Sequence, residues 1–138
     1  MNADFPAVAY RPITAALTGQ VIGVFYDVYN DLGFGFLESV YRQAMLIALT
    51  DAGLRARAEV PVNVIFRGRD VGLFKADLVV EGALVLELKT SKAIHPIHEA
   101  QILNFLHASR LELGLLFNFG PKPEFRRLIS SNDATNLR

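Results

Sequence analysis

Apolar residues recur along the first part of the chain at spacings of three and four. Leu17, Val21, Val24, Val28 and Leu32 form one stripe, which predicts a helix from about Ile13 to Asp31 with Pro12 in its first turn. Gly19 and Gly23 lie inside this stretch. Each weakens a helix by about 1 kcal/mol relative to Ala, a cost that is offset if another backbone packs closely there. Leu32-Gly33-Phe34-Gly35 ends the helix, because glycine enters the left-handed conformations that a stop requires. A second stripe, Leu37, Val40, Tyr41, Ala44, Met45, Ala48 and Ala52, predicts a helix over about 37–52, ended by Gly53. Glu38 falls at the edge of that stripe, where a carboxylate reaches a cleft beside the core.

The period then drops to two. Val60, Val62, Val64 and Phe66 predict a strand that Pro61 assigns to a sheet edge or to a strand start. Arg67-Gly68-Arg69-Asp70 reads as a turn. Ala76–Val80 and Leu84–Lys89 read as a hairpin around Glu81-Gly82-Ala83. Pro96 to Ser109 predicts a third helix, apolar almost all round and so expected to be covered on most sides. Leu113–Phe119 is nearly all apolar and reads as a central strand, and Glu124–Ile129 as a short edge strand. The order α-α-β-β-β-α-β-(β) implies a mixed α/β sheet flanked by helices. Residues 1–11 read as a loose arm and 131–138 as a polar tail of one domain over residues 1–138.

Composition narrows the chemistry. Hydrophobic residues make up 51% of the chain and mean hydropathy is +0.28, which excludes a disordered chain. Fourteen basic residues balance fourteen acidic ones, so binding through bulk positive charge is excluded. A local basic rim around an acidic centre is not. With no cysteine, disulfides, thiolate zinc sites, iron–sulfur clusters and cysteine nucleophiles drop out together. The first residues lack the basic and apolar regions of a secretory signal, and no apolar run nears the roughly 20 residues that span a bilayer. A cytoplasmic protein without membrane partners is therefore expected.

The one chemically loaded segment is Glu87-Leu88-Lys89. Alternation places Glu87 and Lys89 on one face of an otherwise apolar strand, and buried charges require a partner or a metal. Asp77 precedes Glu87 on the partner strand. A three-residue loop at 81–83 would oppose Val80 to Leu84 and Asp77 to Glu87, with Cα atoms about 4.5–5.5 Å apart. A two-residue turn would put the carboxylates on opposite faces. In the first register two repelling acids with hard oxygen donors suit Mg²⁺ or Mn²⁺, and the Leu88 carbonyl is a further candidate ligand. Lys89 would then position or activate water and offset phosphate charge, the equipment of metal-assisted phosphodiester hydrolysis. The plain alternative is a strand-end ion pair of Lys89 with either acid.

Five segments together carry a resemblance. They are Gly35-Phe36-Leu37-Glu38-Ser39-Val40-Tyr41, Ala76–Glu81, Leu86–Lys89, His98–Leu106 and Gly114–Gly120. This string resembles the GxxExxY protein family within the PD-(D/E)xK nuclease-like superfamily, over about residues 13 to 130. The resemblance implies a restriction-endonuclease-like α/β core and a Mg²⁺-dependent nuclease-type site. By position, Asp77, Glu87 and Lys89 match the metal-and-lysine signature and Glu38 the family's helix glutamate. Gln101 matches a helix glutamine that some such nucleases pair with a tyrosine four residues on, where this chain has Phe105. Ala76 stands where the superfamily's name has proline. Nucleic acid, DNA or RNA, is the implied partner. A homodimer is a natural arrangement, since one such site cuts one strand. A non-catalytic nucleic-acid- or protein-binding module on the same fold is the alternative function.

Overall fold

The computed structural model describes residues 13–130, so the N-terminal arm, Pro12 and the polar tail lie outside the described residues. Eight elements follow in order: α1 (Ala15–Leu32), α2 (Glu38–Asp51), β1 (Ala56–Phe66), β2 (Arg69–Val80), β3 (Leu84–Lys89), α3 (Pro96–Ser109), β4 (Leu113–Phe119) and β5 (Pro123–Ile129). This is the expected order, last strand included.

Helix α1 begins two residues later than the apolar spacing suggests, because Thr14 stays extended and caps it. The Leu17 N–H donates to Thr14 Oγ1 at 3.1 Å. Leu17, Val21, Val24 and Val28 are buried as expected, and Phe25 joins them. No close packing offsets the cost of Gly19 and Gly23. A Cβ built on either meets no atom within 4 Å, so both lie on the open face and no backbone packs there.

The strands form one sheet in the order β1-β2-β3-β4-β5. Only β3 and β4 run parallel, joined by the α3 crossover, and the other neighbours are antiparallel. Helices α1 and α2 bury one face against Leu84, Leu86, Leu88, Leu115 and Phe117. Helix α3 covers the other face over Val60, Val62, Ala76, Val79 and Val85. Every residue of β4 is buried, as an interior strand covered on both faces requires. β1, with Pro61, lies at an edge. α3 differs from expectation: Ile102, Phe105 and Leu106 are buried, while Ile97, Gln101, Asn104 and His107 are exposed. It rests on one sheet face only, and its outer side meets solvent.

β1 and β2 are longer than their alternation reveals, at 11 and 12 residues. Arg69 and Asp70 belong to β2, and the turn shrinks to Arg67 and Gly68 with φ of 52° and 75°. Val71, Gly72 and Leu73 are all exposed, so this end of the hairpin has no buried face to impose a period of two.

The loop between β2 and β3 sets the register. Val80 pairs with Leu84 across three residues, with the Ala83 N–H donating to the Val80 carbonyl at 3.1 Å. Glu81 and Gly82 take φ of 53° and 68°. Glu81 is buried, and its carboxylate accepts the Arg55 N–H at 2.7 Å while its own N–H donates to the Arg55 carbonyl at 2.8 Å. This acid fastens the turn to the start of β1.

Candidate active site

The β2–β3 ladder pairs Val80 with Leu84, Val79 with Val85 and Leu78 with Leu86, and then stops. One step further would oppose Asp77 to Glu87. Side chains take over the hydrogen bonding there. The Asp77 N–H donates to Glu87 Oε1 at 3.2 Å, and the Leu88 N–H donates to Asp77 Oδ2 at 2.8 Å. The two carboxylates thus bridge the mouth of the gap that opens between the strands.

A second irregularity falls at the same level. The β1–β2 register pairs Ala58 with Leu78 and Val60 with Ala76 but skips Glu59 and Asp77, and Glu59 has φ of 53°. Leu78 and Val80 pack with α1 and α2, whereas Phe74 and Ala76 pack with α3. Strict alternation would place all four on one face. Asp77 therefore sits where β2 changes faces, which frees its side chain to meet both β3 and α2.

Glu87 and Lys89 share the α3 side of β3, while Leu86 and Leu88 are buried on the other. Together with Phe74, Lys75, Gln101 and Phe105 they line a cavity of about 190 Å³. Burial, and then the charge of Asp77, push the Glu87 carboxyl up to about 8. Glu38 is the first residue of α2, a half-buried position within electrostatic reach of Lys89 and Asp77. Burial raises its carboxyl above the ordinary value, against the pull of Lys89, and the Thr90 backbone hydrogen-bonds to it. Gln101 is exposed, and its side of α3 meets Glu87 and Lys89 in the same cavity. Phe105, one turn on, is buried beside it.

Arg42 is a site residue that the strand-centred reading missed. Its Nη1 lies 3.3 Å from Asp77 Oδ1 and its Nη2 lies 3.8 Å from Glu59 Oε1. Its Nε is buried with no hydrogen-bond partner. The available signal was spacing: Arg42 follows Glu38 by one helical turn and shares its face. His95 and His98 have a structural task, since the His95 N–H donates to His98 Nδ1 at 3.2 Å and closes the start of α3.

The donors fit a hard divalent cation. Asp77 and Glu87 present carboxylate oxygens close enough that the charge of Asp77 adds to burial in raising the Glu87 carboxyl. Among the described residues no three His, Asp or Glu side chains form a cage. Mg²⁺ needs none, because it takes one or two carboxylates and keeps several waters.

The pattern of the PD-(D/E)XK nuclease superfamily matches residues 15–128. The chain belongs to that superfamily. Its members generally use divalent metals, and the α-α-β-β-β-α-β-β order with its five-stranded mixed sheet is the restriction-endonuclease-like fold. Two solved structures agree on the fold. The crystal structure of SSO0001 aligns at 19% identity and a TM-score of 0.55, over 70% of this chain and 52% of that one. This PD-(D/E)XK chain thus spans about half the length of that protein. An alkaline exonuclease from Laribacter hongkongensis aligns at 8% identity and a TM-score of 0.51, over 88% of this chain and 73% of that one. A Holliday junction resolvase from Archaeoglobus fulgidus aligns at 16% identity and a TM-score of 0.42, over 67% and 71%. No curated protein matches the chain. Among the described residues, no helix is long and apolar enough to cross a membrane.

Proposed function

We propose that this PD-(D/E)XK protein is a metal-dependent phosphodiesterase that hydrolyses DNA or RNA. The observation that carries the reading is the pair of carboxylates, Asp77 and Glu87, joined across the end of the β2–β3 ladder with Lys89 on the Glu87 side. Asp77 and Glu87 would hold Mg²⁺ or Mn²⁺. In a strand a residue's N–H and C=O point to the same edge. The Leu88 N–H faces Asp77, so its carbonyl shares that edge and is the third candidate ligand. The bound cation supplies Lewis acidity and lowers the pKa of water. Lys89 orients the attacking oxygen and offsets the charge of the phosphate. Glu38, beside Asp77 and Lys89, accepts a hydrogen bond from that oxygen, and Gln101 holds the substrate from the α3 side. Lys75 faces the same cavity and is placed to contact a flanking phosphate.

Within the superfamily we assign the chain to the GxxExxY family. Gly35 has φ of 113°, a conformation suited to glycine, Glu38 faces the acids, and buried Tyr41 ties down the loop between the first two helices. A homodimer would place two such sites on a duplex.

Arg42 favours a second reading. Its guanidinium already neutralises Asp77, as it would in a non-catalytic nucleic-acid-binding module. Cleavage of labelled single- and double-stranded oligonucleotides with Mg²⁺ or EDTA, together with Mn²⁺ titration by calorimetry, separates the two. The hydrolase reading expects Mg²⁺-dependent cleavage, lost in Asp77→Asn, Glu87→Gln and Lys89→Ala. Nucleic-acid binding without cleavage and without Mn²⁺ heat would select the module.

A further inference from the structure

A second cleft, of about 350 Å³, lies where the α1–α2 loop meets the residues that follow β3 and β4. It is lined on one wall by Phe34 and Phe36, on the other by Thr90, Ser91 and Lys92, with Phe119 as its floor. The volume is at the lower end of small-molecule sites. Phe34 is 60% exposed and Phe36 47%, although both sit on a short loop between two helices whose inner faces are packed on the sheet. An exposed pair of this kind either collapses onto the core or is held out.

The structure holds it out. The Tyr41 hydroxyl donates to the Gly33 carbonyl at 2.5 Å and accepts the Phe36 N–H at 3.4 Å. The Phe36 ring meets Tyr41 edge to face, with centroids 6.1 Å apart. On the opposite wall Asn118 grips Ser91 twice, accepting its N–H and donating to its carbonyl, each at 2.9 Å. Tyr29 fixes the third loop by donating to the Gly120 carbonyl at 2.7 Å. Three buried or half-buried polar side chains thus brace three loops around one opening, and what they present is an aromatic wall facing a lysine.

We propose that this cleft is a subsite for one unpaired nucleobase of the strand whose phosphate lies at Asp77 and Glu87. The proposal rests on the nuclease reading and extends it to a substrate class. A nucleotide has a flat apolar ring for Phe34 and Phe36 and an anionic linkage for Lys92. A purely apolar occupant has no use for the lysine, hydroxyl and backbone groups opposite. The cleft and the acid site share no lining residue but adjoin at the end of β3, since Thr90 lines the cleft, directly follows Lys89 and interacts through its backbone with Glu38. A base within a duplex has both faces stacked, so an occupant of an aromatic cleft must come from a single strand, a frayed end or a flap. The enzyme therefore prefers unpaired or splayed strands.

The test uses the wild-type chain with Ca²⁺ and single-stranded oligonucleotides that carry 5-iodouracil at successive positions. Irradiation should cross-link Phe34 or Phe36 at one position relative to the cleaved bond mapped in Mg²⁺, read by mass spectrometry. The exposed double variant Phe34→Ala/Phe36→Ala should lose the cross-link and bind the single strand about fivefold or more weakly, while blunt duplex binding changes less. If wild type cleaves oligonucleotides but gives no such cross-link, and the double variant binds single strands equally well, the subsite is overturned and the nuclease reading stands. If the double variant instead converts a dimer to a monomer in sedimentation with oligonucleotide affinity unaltered, the cleft is an interface between copies and the subsite is overturned. If wild type binds no oligonucleotide at all, both fail.

Discussion

The backbone N–H of Asp77 donates to the Glu87 carboxylate at 3.2 Å, while the Asp77 carboxylate accepts the Leu88 N–H at 2.8 Å. Each acid therefore replaces a missing rung of the sheet, and in the proposed site it also supplies a metal-binding oxygen.

This double duty separates two substitutions at Asp77. We predict that Asp77→Ala loses Mg²⁺-dependent cleavage and also destabilises the fold by about 1–3 kcal/mol, because the Leu88 N–H loses its acceptor. Asp77→Asn keeps an acceptor oxygen and should lose activity with a smaller change in stability. Urea unfolding beside a cleavage assay checks both. Equal stability of the Ala and Asn variants would contradict the bracing role.

The Glu87 carboxyl, raised to about 8 by burial and by Asp77, makes the metal-free protein pH-sensitive. An unfolded glutamate releases its proton near 4.5, whereas folded Glu87 keeps it until about 8. The folded state binds more protons between those values, so stability falls as pH rises through the window and levels off above it. Glu38, raised in the same direction, adds to the trend. Unfolding in EDTA at several pH values should show the fall, and Glu87→Gln should flatten most of it. On the proposed metal site, thermal stabilisation by Mn²⁺ should grow with pH, since the deprotonated carboxylate would be the ligand.

Arg42 is paired with Asp77, so in the proposed metal site it would compete with a cation for that carboxylate. We predict that Arg42→Met, which keeps the length of the stem within α2, raises Mn²⁺ affinity several-fold in calorimetry. It should also lower stability in EDTA, because Asp77 then lacks a counter-charge. Weaker Mn²⁺ binding in the variant would show that Arg42 supports the site instead.

Three glycines should respond in opposite directions. Gly19→Ala and Gly23→Ala place a methyl in open space on a helix and should each stabilise by about 0.5–1 kcal/mol. A Cβ on Gly120 would lie 2.3 Å from the Ser91 carbonyl oxygen, a backbone atom that Asn118 holds in place. Gly120→Ala should cost about 1–3 kcal/mol and disturb the Lys92 loop. Thermal melts of the three variants decide the matter.

The elements and their order were legible from residue periodicity, as was the sheet-edge place of Pro61. So were the residues of the acid pair, because charges on an apolar strand stand out in one dimension. Whether Asp77 and Glu87 meet hung on the length of one turn, and local sequence permits either a two- or a three-residue loop. The contact of Glu81 with Arg55, 26 residues away, favours the longer one. Arg42 reaches Asp77 across 35 residues, so no window of local pattern connects them. Whether anything packs on Gly19 and Gly23 was open for the same reason, since what packs against a helix face is set by elements distant in the chain. Local periodicity comes from each side chain's choice between core and water and is written along the chain. Register, the change of face at Asp77 and the loops braced by Tyr29, Tyr41 and Asn118 arise from contacts between distant segments, which exist only once the layers have closed.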